Sequence, residues 1–126
     1  MHARANFTRN EMATALRKGP YQVNLLLGSV DPDTKQSPLY FLDYLAALQK
    51  VPYGSQGYTS NFCSSIFDRE SKSKEDTTYE KALEMVQMFI KEMHARFLIS
   101  QPNFILKVID ANGFWVVSHG ADPADD

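Results

Sequence analysis

The chain has 126 residues, 44% of them hydrophobic and 12% aromatic, with a formal net charge of -2 at pH 7. That length suits a single domain core, and that composition belongs to a folded rather than a disordered chain. There is no basic excess for nucleic acid or an anionic membrane, no apolar run near the ~20 residues that span a bilayer, and only Cys63, which rules out an internal disulfide. The expectation is a soluble intracellular protein that binds neither nucleic acid nor membrane.

Residues 4–18 predict a helix. Thr8, Met12, Ala15 and Leu16 fall near helical spacing, Arg17 and Lys18 suit a helix C-terminus, Gly19 suits the left-handed position beyond it, and Pro20 forbids continuation. Tyr21 to Val30 predicts a strand with Tyr21, Val23, Leu25 and Leu27 on one side. Leu26 makes part of the other side apolar, as in a strand covered on both faces. Asp31 to Pro38 is turn composition throughout, and Leu39 to Tyr44 returns as the second strand of a hairpin. Leu45 to Val51 predicts a third short strand after a tight turn at Asp43–Ala46, although Ala46 to Lys50 favours helix by local propensity.

Pro52 to Tyr58 is a loop with two glycines, and Thr59 or Ser60 can cap a helix over residues 59–70. Phe62, Ile66 and Phe67 give that helix an apolar stripe that Cys63 joins. Residues 69–76 are charged and solvated. Thr77 or Thr78 then caps a longer helix whose buried stripe is Tyr79, Leu83, Val86, Ile90, Met93 and Phe97. Met85, Met88 and Phe89 widen its apolar face, as if a second surface were touched. Phe104 to Ile109 and Phe114 to Val117 predict strands joined by Asp110-Ala111-Asn112-Gly113, whose Asn-Gly is a hairpin signal, and residues 121–126 form an acidic, frayed tail. The order helix, three strands, two helices, two strands is that of an α+β protein with helices stacked outside sheets. Five strands and three helices do not by themselves close a four-layer sandwich.

Generic chemistry is sparse. His2, His94 and His119 read as surface histidines, since no HExxH or Cys/His cluster accompanies them. Cys63 has no basic neighbour in sequence and reads as a small core residue. Asp31 and Asp33 flank Pro32 in a turn, which explains them without a carboxylate dyad. Gly54-x-x-Gly57 precedes a helix but lacks the lysine and spacing of a phosphate-binding loop. No cofactor or metal is expected.

A resemblance supplies more. Pro20 to Leu27, Leu39 to Leu48, Pro52-Tyr53-Gly54 and Gly57-Tyr58 closely resemble a proteasome β subunit of the 20S core particle, in particular the non-catalytic kind at the fourth position of the β ring. Asn6-Phe7-Thr8-Arg9, Ile66-Phe67-Asp68-Arg69, Arg96-Phe97 and Ile109 to Gly113 fall in the right order around them. The resemblance covers nearly the whole chain. It implies a four-layer α-β-β-α sandwich of the N-terminal-nucleophile hydrolase type. The chain would be a single domain of that kind, matching about the last two-thirds of the family fold and lacking its opening strands.

Active members of that family use an N-terminal threonine as nucleophile, activated by an adjacent base. Met1-His2 supplies none, and no internal Gly-Thr bond is present. Active members also carry a Gly-Ser-Gly-Ser run, which falls here on Gly57-Tyr58-Thr59-Ser60, so Tyr58 replaces its first serine. After the long helix they carry an Asp and, three residues later, a Ser. These fall on Phe97 and Ser100, so an apolar side chain replaces the orienting aspartate. The implied function is a non-catalytic structural subunit, with no catalytic residues, working in ubiquitin-dependent degradation in cytoplasm and nucleus. Its partners would be the other α and β subunits of the heptameric rings. Aromatic and Met residues beyond the needs of a small core, Tyr53, Tyr58, Met85, Met88, Phe89 and Trp115, are interface candidates. Two other readings stay open: an active threonine peptidase, which requires an upstream Gly-Thr, and a stand-alone α+β interaction module.

Overall fold

The computed structural model describes residues 1–70, 77–96 and 103–120, without the side chains of 118–120. Phe97, Ser100, the charged loop over 71–76 and the tail over 121–126 lie outside the described residues. The chain forms two compact units, Met1–Ser64 and Ser65–Asp126. Its elements are α1 (His2–Ala15), β1 (Leu25–Gly28), β2 (Leu39–Leu42), β3 (Leu48–Lys50), α2 (Ser60–Glu70), α3 (Tyr79–Arg96), β4 (Phe104–Asp110) and β5 (Gly113–Gly120). This is an α+β chain. Among the described residues no helix is long and apolar enough to cross a membrane.

In the first unit β1, β2 and β3 form an antiparallel sheet with β2 in the centre. The register places Leu25, Leu42 and Leu48 opposite one another in a single row across it. Met12 of α1 packs with Leu42 and Ala46, and Leu16, Leu25, Leu27 and Leu48 close around them. Leu42 is completely buried. Because side chains alternate along a strand, the next row on the same face is Leu27, Tyr40 and Lys50. The opposite face carries Leu26, Phe41 and Gln49.

The turn between β2 and β3 fixes that register. Ala46 N–H donates to Asp43 O at 3.0 Å, and Asp43 N–H donates to Ala47 O at 3.2 Å. Asp43 Oδ1 accepts the amides of Leu45 and Ala47, both at 2.9 Å. Ala46 closes the turn in the left-handed conformation at φ 61°, the arrangement of a three-residue hairpin loop with a left-handed closing residue. The helical preference of Ala46 to Lys50 is thus overridden by ladder bonds to β2, and the predicted third strand exists.

Several boundaries differ from expectation: α1 starts at His2, β2 ends at Leu42 rather than Tyr44, and β3 covers Leu48–Lys50 rather than Leu45 to Val51. Gly19 is not left-handed; its N–H donates to Ala15 O at 2.9 Å, so the chain leaves α1 through a further helical turn. The first strand is four residues long rather than ten. Tyr21 and Val23 are exposed and unpaired, because β2 ends at Leu42 and offers no ladder beyond Leu25. Leu26 is likewise exposed at its edge, so β1 is not covered fully on both faces.

In the loop after β1, Asp31 Oδ1 accepts the amides of Asp33 and Thr34 at 2.9 and 3.2 Å. These bonds hold its carboxyl below the ordinary carboxylate range.

In the second unit Thr78 caps α3 as expected, its Oγ1 accepting the Lys81 amide at 3.3 Å. Met85 and Met93 are the buried side chains of α3, with Leu83, Val86 and Ile90 half-buried, whereas Tyr79 is exposed instead of opening the stripe. β4 and β5 form a hairpin whose two-residue loop is Ala111-Asn112, and Gly113 follows at φ 129° as the first residue of β5. The strands run longer than expected. An irregularity between Leu106 and Lys107 leaves Val117 opposite no residue of β4.

Two outcomes follow. Replacing Ala46 with Val forces a branched, 6%-exposed side chain into the left-handed region and costs more than about 2 kcal/mol. Ala46→Gly relieves about 1 kcal/mol of strain but loses one buried methyl of similar worth, so it stays within about 1 kcal/mol of wild type. Urea unfolding followed by circular dichroism distinguishes them. For the Asp31 loop, a lowered folded-state pKa means its stabilisation is present above the ordinary carboxylate pKa of about 4 and is lost as pH falls through the lower folded value. Protection of the Asp33 and Thr34 amides, taken relative to their intrinsic exchange rates, should therefore fall as Asp31 is protonated, and Asp31→Asn should remove that pH dependence.

Candidate functional site

The loop Pro52–Thr59 and the start of α2 (Ser60–Glu70) hold Gly57, Tyr58 and Ser60, the positions singled out in the sequence. Gly57 turns the chain at φ 92°, and Ser60 N–H donates to Gly57 O at 3.2 Å. Cys63 N–H donates to Thr59 O at 3.0 Å, so the helix opens at Thr59 as the capping sequence predicts. Ser55 Oγ donates to Ser60 O at 2.9 Å and lies 2.9 Å from Ser64 Oγ. A hydroxyl pair and a carbonyl contain no base, so these bonds pin the loop to the helix and activate no nucleophile. Gly54 is required by close approach: a methyl built there would meet Leu26 Cδ2 at 2.5 Å and Phe41 Cδ2 at 3.6 Å. The loop therefore lies against part of the sheet face opposite α1.

Cys63 is buried at this helix start, and burial pushes its thiol above the ordinary range, partly opposed by hydrogen bonding with Ser55. A raised thiol is a poorer nucleophile at neutral pH. This fits the reading of Cys63 as a packing residue.

The side chains singled out in the sequence fall in different settings. Tyr58 is 85% exposed at the loop tip. Ser60 is half-buried at the first position of α2, with its carbonyl engaged by Ser55. Tyr53, Met88 and Phe89 are half-buried, and Met88 Sδ accepts from Arg69 Nη2 at 3.4 Å. Trp115 is 44% exposed on β5. Met85 is only 7% exposed, so the chain's own residues already cover it.

Two side chains have roles that spacing did not signal. His2, expected in a tail, begins α1 and meets the Tyr40 hydroxyl through Nδ1 at 3.1 Å, across 38 positions of sequence. His94, expected on the wet face of α3, is half-buried with its ring tilted against Phe104 at 5.5 Å. Among the described residues no group of three or more His, Cys, Asp or Glu could hold a metal ion.

The family model described as "Proteasome subunit" matches residues 1–109. The chain belongs to the proteasome subunit family. Its similarity is to β-type members of that family. It is 47% identical to "Proteasome subunit beta type-2-B" of Arabidopsis thaliana over 111 residues, covering 88% of this chain and 54% of the relative. Against "Proteasome subunit beta type-2" of Oryza sativa the identity is 45%, covering 88% of this chain and 51% of the relative. Against "Proteasome subunit beta type-4" of Saccharomyces cerevisiae it is 32%, covering 86% and 54%. This proteasome subunit chain thus spans about half the length of the curated relatives it matches.

In this proteasome subunit chain the buried thiol gives a direct test of the loop–helix packing. Cys63 in the native chain should react with a neutral-pH thiol reagent at least tenfold more slowly than in denaturant. Ser55→Ala removes the hydroxyl that bonds the Ser60 carbonyl and, in a separate contact, opposes the upward shift of the thiol. Equal native and denatured labelling rates would contradict the burial.

Proposed function

We propose that the chain acts as a non-catalytic structural subunit of the proteasome core particle, at the β-ring position of the beta type-2 proteins. The observation that carries this reading is Tyr58. Where active members place a catalytic-support serine, this chain presents a large aromatic side chain that is 85% exposed. Phe97 stands where those members have an orienting aspartate, so both departures remove polar groups on which the chemistry depends. Ser60 and Ser100 keep hydroxyls of the pattern, but a hydroxyl without its base and orienting carboxylate does no peptidase chemistry.

On this reading the chain serves ubiquitin-dependent degradation by completing a heptameric β ring and shaping the chamber wall beside catalytic neighbours, in cytoplasm and nucleus. Its partners are other proteasome α and β subunits. The two units belong to one four-layer α-β-β-α sandwich of the N-terminal-nucleophile hydrolase type, of which residues 1–126 are part. Surface aromatic side chains such as Tyr58 and Trp115, with Tyr53, Met88 and Phe89 at the margins, meet adjacent subunits. Buried Met85 supports the α3 surface from within.

Native mass spectrometry of tagged chain purified from cells checks this. The expected species is a ring-containing particle with other α and β subunits. A mechanism-based probe for N-terminal threonines should label neighbours in it and leave this chain unlabelled. Recovery solely as a free monomer, or labelling of this chain by the probe, would refute the reading.

A further inference from the structure

We infer that the cleft between α1 and the β2–β3 side of the sheet is a binding site for a compact oxyanion, a phosphate or a carboxylate group. The cleft is open to solvent, offers about 460 Å³ of space and is lined by His2, Asn6, Arg9, Tyr40, Leu48 and Lys50. Its origin lies in the fold. Met12 and Leu16 hold α1 on the leucine row Leu25–Leu42–Leu48. The helix residues His2, Asn6 and Arg9, at steps of four and three, share a face on the N-terminal side of that contact. Tyr40 and Lys50 are paired across β2 and β3 on the same sheet face as Leu42, so they rise toward that helix face.

The polar groups of the cleft are ordered as donors. Asn6 Nδ2 lies 3.1 Å from the His2 carbonyl oxygen, which can only accept, and this identifies the atom as the amide nitrogen. The same nitrogen lies 2.9 Å from His2 Nε2. In the neutral ring Nε2 is then the acceptor, and Nδ1 carries the hydrogen that it gives to the Tyr40 oxygen at 3.1 Å. With its oxygen already accepting, Tyr40 has its own hydroxyl hydrogen to donate.

Charge points the same way. Arg9 and Lys50 are both exposed, and neither forms an ion pair with a carboxylate among the described residues. Arg9 Nη1 reaches the neighbouring Asn10 Oδ1 at 3.4 Å, which leaves most of the guanidinium fork unused. The cleft thus offers two formal positive charges and a phenolic donor, with Leu48 as the apolar part of its lining. A guanidinium, an ammonium and a hydroxyl lining one cleft supply the donor types that bind tetrahedral or planar oxyanions. The adjoining cleft of about 470 Å³ adds Arg4 and Asp31, and Asp31 there is turned to the amides of Asp33 and Thr34. With so few cations in a chain of net charge -2, an extended polyanion such as nucleic acid is a poor match.

The test titrates the full chain with inorganic phosphate at constant ionic strength, with chloride as the balancing salt, following amide shifts of Arg9, Tyr40 and Lys50. The expected result is a saturable shift confined to those residues, weakened tenfold or more in Arg9→Gln and in Lys50→Gln and unchanged in Arg17→Gln. Both substituted positions are on the surface, so the variants are expected to remain folded. A parallel titration with N-acetylglutamate identifies the source: tighter binding than phosphate indicates a side-chain carboxylate, and weaker binding a phosphoryl group. Shifts no larger than chloride produces, or binding retained when Arg9 and Lys50 are both replaced with Gln, would overturn the proposal.

Discussion

The leucine row Leu25–Leu42–Leu48 is the contact on which the first unit depends. A three-stranded sheet of such short strands has few ladder bonds, and its stability must come from a covered face. Met12 and Leu16 provide that cover, and they can do so only if all three leucines point the same way. A slip of one residue at the Asp43–Ala47 turn would send Leu48 to the opposite face and bring Gln49 under the helix. The left-handed Ala46 and the two amides held by Asp43 are therefore what make the core possible.

What could be read from the sequence divides along the same line. Features decided by neighbouring residues were legible: the Thr78 cap, the Asp31 turn, and the hairpin turn over Asp110–Gly113, whose two central residues form the loop. Features decided by distant partners were not. Tyr21 to Asn24 have strand composition, yet they lack a ladder because β2 stops at Leu42; Asn24 instead accepts the Tyr44 amide at 3.0 Å through its side chain. Gly19 looked like a left-handed cap, but a further turn closed by Ala15 O made that conformation unnecessary.

The candidate site shows the same split. Spacing alone marked the loop at Gly54 to Gly57 as a weak phosphate motif, and only the family pattern gave Tyr58 a meaning. Its geometry then explains the loop in packing terms, through Ser55 on the helix start and Gly54 against Leu26. The His2–Tyr40 contact joins residues 38 positions apart, and no periodicity or motif connects them. Its visibility required the register that lifts Tyr40 toward α1.

The strand edges carry a consequence for the cell rather than for the fold. Among the described residues β1 and β3 are edge strands, and the β4–β5 hairpin has an open edge on each side, with Ile105, Ile109 and Phe114 exposed on it. Unpaired backbone accepts any extended segment, whether from an intended neighbour or from another copy of the same chain. On the proposed reading the outcome is a competition between docking onto partners, first order in this chain, and self-association, second order in it. Self-association therefore gains as this chain's concentration rises. If the chain assembles as proposed, synthesis in excess of its partners favours self-association through these same hydrogen-bonding edges.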